Sequence, residues 1–287
     1  MYSVAVMPVV LAAGWRQGFQ ESVRWQQFLG FLLAAVLLLL WENLSNDLFD
    51  ADTGVDVSGK PHSIVALVGQ RRPVRRWACL SLVLGLGLIL MLALQSSFAV
   101  LPLVLVSCGL GYLYQGPPFR LGYRGLGEPI CWLAFGPFAT AAALLVIAPA
   151  DQAAVPWQQA LMLGSGPALA TCLVLFCSHF HQVREDAAHG KYSPVVRLGT
   201  AKAATFVPWF VAGTFALEWV PVLHGDWPIT ALVSVIGLPA AAALIRLLRD
   251  HHAEPDRIAG SKFLALRFQA LNGLGLSAGL ALGPLLS

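Results

Sequence analysis

Charge is scarce in this chain. Of its 287 residues only 11% are Asp, Glu, Lys or Arg, 57% are hydrophobic, and the mean hydropathy is +0.69. A soluble domain carries about 25% charged residues, so the composition is that of an integral membrane protein. Strand-type alternation of apolar and polar residues is also missing, so helices rather than a barrel must satisfy the backbone in lipid. Cysteine is sparse: Cys79, Cys108, Cys131, Cys172 and Cys177 all fall in apolar stretches, without CxxC spacing. They read as packing thiols, and no disulfide is implied. No basic leader precedes the first apolar stretch, which argues against a signal peptide. That stretch is also short, about 21 Å as a helix, so a natural start further upstream is expected.

What is present is a succession of apolar stretches, at about 1–14, 25–45, 74–95, 98–114, 126–148, 158–180, 200–222, 229–248 and 264–286. Most are long enough to cross about 30 Å of hydrocarbon. The fold expected is all-α, a single transmembrane domain over 1–287 with about nine transmembrane helices. The stretch at 98–114 is short enough to be tilted or partly re-entrant. Gly and Pro inside the spans, among them Gly136, Pro137, Gly166, Pro167, Gly273 and Gly275, permit close helix approach and kinks. A kinked bundle is what a central cavity needs.

The basic residues fix a topology. Apart from Arg16 and Arg24, every Lys and Arg lies in the loops after the second, fourth, sixth and eighth spans or at their borders. The connections after the third, fifth and seventh spans hold none. By the positive-inside rule the even-numbered loops face the cytoplasm. The net charge of +3 therefore reports topology; no nucleic-acid partner is expected, and no protein partner is evident.

Against this scarcity, acidic residues crowd two places. The first reads Asn46-Asp47-Leu-Phe-Asp50-Ala-Asp52-Thr-Gly54-Val-Asp56 and follows the second span; the other, Arg184-Glu185-Asp186-Ala-Ala-His189-Gly190-Lys191, follows the sixth. Two carboxylates about 6 Å apart repel by roughly 3 kcal/mol at an effective dielectric near 20, so a cationic partner is required. Asp47 and Asp50 stand at i and i+3, on one face of a continuing helix, with Asn46 beside them. Such oxygen ligands suit Mg²⁺, which takes one or two carboxylates plus substrate phosphates and water. Glu185 and Asp186 are candidates for a second ion, and Lys191 and Arg197 for pairing with diphosphate oxygens. His179 and His181 are two apart, pointing about 200° apart on a helix. That rules against a paired zinc site and leaves one ring, His181, to contact a second substrate. A third block runs from Tyr112 and Tyr114 through Gly116-Pro117-Pro118-Phe119-Arg120 to Tyr123-Arg124 and Glu128. Gly-Pro-Pro fixes a turn, and Arg120 and Arg124 are anion binders.

Together these blocks resemble the UbiA superfamily of intramembrane aromatic prenyltransferases, over nearly the whole chain. The Asn46–Asp56 element resembles the superfamily's first Asp-rich motif. The GPP…LGYRGLGE block and GK…SPVVRLGT look like the branch that prenylates 1,4-dihydroxy-2-naphthoate. HFHQ and DVSGKPHS (56–63) are similar to the members of cyanobacteria and plastids that attach phytyl. Where relatives carry an Asp four residues before the position of Asp186, this chain has Gln182.

The resemblance implies a helical bundle around a central cavity and transfer of a prenyl group from its diphosphate to the naphthoate with loss of CO2. Mg²⁺ would be held by Asn46, Asp47, Asp50, Glu185 and Asp186, with Asp47, Asp50 and Asp186 as the catalytic carboxylates. Lys60, Lys191, Arg120 and Arg124 would neutralise the diphosphate. Tyr112, Tyr114, Phe119 and Trp132 are candidates to shelter an allylic cation by their π-faces. The membrane would be the cell inner membrane or a thylakoid, with the site on the cytoplasmic side. Homogentisate, 4-hydroxybenzoate or chlorophyllide are rival acceptors. Secondary transport is the rival class, disfavoured because the middles of the spans are nearly free of ionisable groups, Glu128 and Glu218 lying near ends.

Overall fold

A computed structural model describes residues 2–54, 63–149 and 154–286. In lipid the backbone must satisfy its own hydrogen bonds, and the apolar runs do so as helices. Nine long ones form among the described residues: α1 Ser3–Gly18, α2 Trp25–Thr53, α3 Arg71–Gln95, α4 Val100–Gln115, α5 Gly127–Ile147, α6 Trp157–Ala188, α7 Thr200–Leu223, α8 Ile229–His251 and α9 Ser261–Leu286. By length and composition α2, α3, α5, α6, α7 and α8 can each cross a membrane. The short α4 is one uninterrupted helix of 16 residues, about 24 Å long, so no re-entrant turn is seen there.

The ends of these helices sort as the basic residues predict. Arg24 N donates to the Ile147 carbonyl at 3.0 Å and Arg24 Nη1 to the Gln95 carbonyl at 2.7 Å. The turn after α1 is thereby fastened to the ends of α3 and α5. At the opposite end, Tyr192 N donates to the Tyr123 carbonyl at 2.8 Å, and Arg197 Nη2 to the Arg124 carbonyl at 3.1 Å. The loops after α4 and α6 thus meet on one side, with the C-terminal end of α2.

Three departures from regular helix position the site. First, α2 has 29 residues and spans about 43 Å, against about 30 Å of hydrocarbon. Its last turns, with Asp47 and Asp50, reach past the apolar layer before Gly54, at φ 80°, ends it. Second, α5 contains a π-type turn over Ala134–Phe138, where Gly136 leaves helical geometry beside Pro137. The proline lacks the N–H that would close the ladder, and the bulge sets Ala134 and Phe135 against the interior cavity. Third, α8 opens with a 3₁₀ stretch, Ile229–Gly237, pressed against α9. A Cβ on Gly275 would sit 2.6 Å from the Val233 carbonyl, and one on Gly279 would collide with the Thr230 carbonyl. Such backbone approach is what holds helices together where lipid is as apolar as the side chains.

Gly279→Val should therefore destabilise the protein by the ~1–3 kcal/mol usual for overpacking. It should appear as a lower Tm in detergent. Gly87→Val, whose added Cβ meets nothing within 4 Å, should leave the Tm unchanged.

Candidate active site

The cavity begins on one stripe of α2. Leu39, Glu42, Asn43 and Asn46 recur at helical spacing and all line a cavity of about 160 Å³. Its other walls come from α4 (Gly111, Tyr114), α5 (Gly127, Ile130, Ala134, Phe135), α6 (Thr171, Val174, Leu175, Ser178) and the start of α9 (Lys262, Leu266). A second cavity of about 80 Å³ is walled by Val9, Phe31, Leu38, Val104 and Ala139. The two share Leu39, Glu42, Ala134 and Phe135. Polar groups gather toward the C-terminal end of α2, and apolar ones toward its start.

Asp50, one turn beyond Asn46, is fully buried. Gln115 Nε2 donates to its Oδ2 at 3.1 Å, and the Tyr123 hydroxyl donates to its Oδ1 at 3.1 Å. Thr53 Oγ1 stands 2.7 Å from the same hydroxyl. Burial, and then the neighbouring Asp50 charge, push the Tyr123 phenol well above its ordinary pKa, so it remains a donor at neutral pH. Asp47 Oδ2 accepts from Ile64 N at 3.0 Å. This fixes the first amide of the short helix Ile64–Val68, whose Ser63 cap accepts from Ala66 N. Asp52 pairs with Arg71 at the surface.

Asp186 is 1% exposed and lies 3.6 Å from Lys191 Nζ and 3.9 Å from His179 Nδ1. The other nitrogen of His179 is 3.7 Å from Glu128 Oε1. Lys191, itself 4% exposed, also stands 5.6 Å from the Tyr123 ring centroid, and the Arg120 guanidinium 5.5 Å from it. A continuous polar chain therefore runs from Asp50 through Tyr123 and Lys191 to Asp186, His179 and Glu128. It joins two acidic motifs far apart in sequence.

The remaining sequence candidates fall into different places. Asn46 and Tyr114 line the cavity, the Tyr114 ring packing 2.8 Å from where a Cβ on Gly127 would stand. Glu185 is half-exposed, next to the buried Asp186. Arg197 Nε donates to the Tyr192 carbonyl at 3.0 Å while its Nη2 holds the Arg124 carbonyl, so this guanidinium ties two loops together, and the Arg124 side chain is exposed. His181 Nε2 is 3.0 Å from Ser261 Oγ at the head of α9. Lys60 and Asp56 lie outside the described residues. Among the aromatic candidates, Tyr112 and Phe119 are exposed, with Tyr112 Oη donating to the Pro117 carbonyl, and Trp132 Nε1 donates to the Ser165 carbonyl. Only Tyr114 of the four lines the cavity.

Sequence reasoning passed over Glu42, and gave no part to Gln115, Tyr123, Glu128 or His179 individually. The signal for Glu42 was available: residues 42, 46 and 50 follow at i, i+4 and i+8 on one helix face. It lies within α2, near the end of the apolar stretch at 25–45.

The donors near the cavity mouth are carboxylate and amide oxygens, the set that suits Mg²⁺. Among the described residues no three Asp, Glu, His or Cys side chains gather closely enough to hold a metal ion.

Comparison with known proteins places the chain in a family. The chain is 40% identical over 283 residues to 2-carboxy-1,4-naphthoquinone phytyltransferase of Synechocystis sp., covering 97% of this chain and 89% of that protein. It is 39% identical over 288 residues to the chloroplastic enzyme of the same name from Arabidopsis thaliana, covering 98% and 75%. Among solved structures, the apo UbiA homologue from Aeropyrum pernix superposes with a TM-score of 0.71 at 14% identity, over 94% of this chain and 96% of that one. A UbiA homologue from Archaeoglobus fulgidus, bound to GPP and Mg²⁺, does so with a TM-score of 0.53 at 15% identity, over 96% of each. Residues 5–272 match the UbiA prenyltransferase family, and the chain belongs to that family.

Proposed function

We propose that this protein transfers a prenyl group, phytyl by preference, from its diphosphate to 1,4-dihydroxy-2-naphthoate, releasing CO2 and pyrophosphate, in phylloquinone or menaquinone biosynthesis. The observation that carries the reading is the polar chain from Asp50 to Asp186, which starts one helical turn beyond Asn46 in the wall of a largely apolar cavity. A substrate with an anionic head and a greasy tail matches both ends at once. The acceptor and the phytyl donor are supported by the names of the two relatives near 40% identity.

In this reading the diphosphate lies at the mouth and the tail extends past Leu39 and Phe135 toward Phe31 and Val104. Lys191 and Arg120, with Lys60, offset the charge of the head, and Lys262 faces the same cavity. Asn46, Asp47 and Asp50, with Asp186 and Glu185 of the second motif, would hold Mg²⁺, which supplies charge stabilisation for the departing pyrophosphate. Gln115 and Tyr123 orient the Asp50 carboxylate. As the allylic C–O bond breaks, its electron pair leaves with the diphosphate. The ring carbon bearing the carboxylate bonds the prenyl carbon, and cleavage of the C–CO2 bond returns a pair to the ring. Tyr114 and Phe135 offer π-faces beside the path. By the charge of the loops the mouth faces the cytoplasm, in a cell inner membrane or a thylakoid.

Asp47→Ala and Asp50→Ala should each abolish turnover while the protein still inserts in the membrane, as measured by prenylated product per inserted protein. Near-normal activity in either would remove the metal role. EDTA should inactivate the wild type, and added Mg²⁺ should restore it. Tyr123→Phe deletes a hydrogen bond to a charged group, worth about 1.5–3 kcal/mol. It should lower kcat/KM for the prenyl diphosphate by at least about tenfold, with the KM for the naphthoate unchanged.

A further inference from the structure

Glu42 is a carboxyl group in a place that otherwise excludes them. It lies four residues before Asn46, about 6 Å deeper along the helix axis, where the two cavities meet. Around it stand Leu39, Ala134, Phe135, the Cys108 and Cys131 thiols and Gly111. A Cβ on Gly111 would come 3.2 Å from Glu42 Cδ and 3.4 Å from Oε1, so the glycine makes room for this side chain. Among the described residues no hydrogen bond or ion pair engages the carboxyl. The side chain is half-buried, and placing an acid in apolar surroundings without a partner is costly. Asp47, Asp50 and Asp186, by contrast, all have partners. A group that meets no donor from its own protein, at the junction of two cavities, is placed to meet one from a ligand.

Resting on the prenyl transfer proposed above, we infer that Glu42 is a catalytic residue that accepts the proton of the acceptor's hydroxyl, the one adjacent to the ring carboxylate. With the tail in the deeper cavity and the diphosphate at the mouth, the ring lies beside Asn46 and Tyr114, and Glu42 is the acidic group within the same cavity. The proton accounting favours such a group. When the prenyl carbon bonds the carboxylate-bearing ring carbon, the adjacent O–H gives its proton to Glu42 and its C–O bond becomes a ketone. The intermediate is then a β-keto carboxylate, which loses CO2 readily because the C–CO2 pair moves onto the ketone oxygen. That oxygen takes the proton back from Glu42. No oxidant or further reactant is needed, and Glu42 ends as it began. The same contact selects acceptors that carry a hydroxyl next to the carboxylate.

The test uses purified full-length protein with phytyl diphosphate and 1,4-dihydroxy-2-naphthoate, and the acceptor's methyl ether at the hydroxyl beside the carboxylate. Glu42→Gln keeps the shape and removes the base, so kcat should fall by about 100-fold, the lower range for general-base loss. The KM for phytyl diphosphate and the Tm should stay at wild-type values. Glu42→Asp should retain more activity than Glu42→Gln. Methylating the hydroxyl should slow the wild type by a similar factor and slow Glu42→Gln little further, since both remove one interaction. A Glu42→Gln enzyme within threefold of wild-type kcat, a reversed order of Gln and Asp, or losses that multiply independently would overturn this inference alone. A wild type that releases no pyrophosphate with the naphthoate would overturn the prenyl-transfer reading, and this inference with it.

Discussion

Two buried carboxylates from opposite halves of the chain are joined by one run of polar contacts, and the arrangement of the site follows from that constraint. Asp50 and Asp186 are 0% and 1% exposed. An ion that is buried in protein without compensation costs several kcal/mol. Lys191 is itself buried, so it cannot be satisfied by water either; it answers Asp186 on one side and faces the ring of Tyr123 on the other. Tyr123 in turn donates to Asp50. Each group is held in place by the next, so neither acidic motif is complete without the loop after α4. The backbone bond from Tyr192 to Tyr123 and the Arg197 guanidinium keep that loop and the loop after α6 in register.

The same requirement explains why the polar groups lie at one end. Far from water the chain has few charges to neutralise another, so an acid is tolerated where a helix outruns the hydrocarbon. The extra length of α2 does this for Asp47 and Asp50. Below them the face of α2 turns apolar over about five helical turns, through Asn46, Glu42 and Leu39 to Phe31. That gradient, read along one helix, parallels the change from anionic head to hydrocarbon in a prenyl diphosphate.

Much of this was legible in the sequence because membrane helices are written in long runs. The number of spans, their order and the side on which loops gather follow from hydropathy and from Lys and Arg alone, and the two Asp-rich elements stood out against a background nearly devoid of charge. The rest depends on contacts that spacing does not encode. Tyr123 sits in a loop whose Gly-Pro-Pro turn was readable, yet nothing in one dimension says that its hydroxyl meets Asp50, 73 residues away. Arg197 looked like an anion ligand from composition, while in the fold its donors reach the Tyr192 and Arg124 carbonyls. Tyr112 and Phe119 carry the right rings for sheltering a cation but point out at the surface. Glu42 was hidden by its surroundings, since one acid in an apolar run barely alters hydropathy.

Glu42 and Glu218 together show what separates a functional acid from a structural one. Both lie within spans. Glu218 is 1% exposed, and its Oε2 accepts from Asn272 Nδ2 at 2.9 Å. Gly166 lets α6 close over it, with no space for anything larger than hydrogen: a Cβ there would be 2.8 Å from Glu218 Cγ. That carboxyl is built into the packing of α7, α8 and α9, the half where glycines bring backbones together. Glu42 stands in the other half, where the α5 bulge and the side chains of α2, α5 and α6 keep the helices apart. The glycine beside it, Gly111, leaves room for the carboxyl and an open cavity in front of it. A polar group enclosed by donors contributes to the fold, whereas one held open toward a cavity is left for whatever the cavity admits.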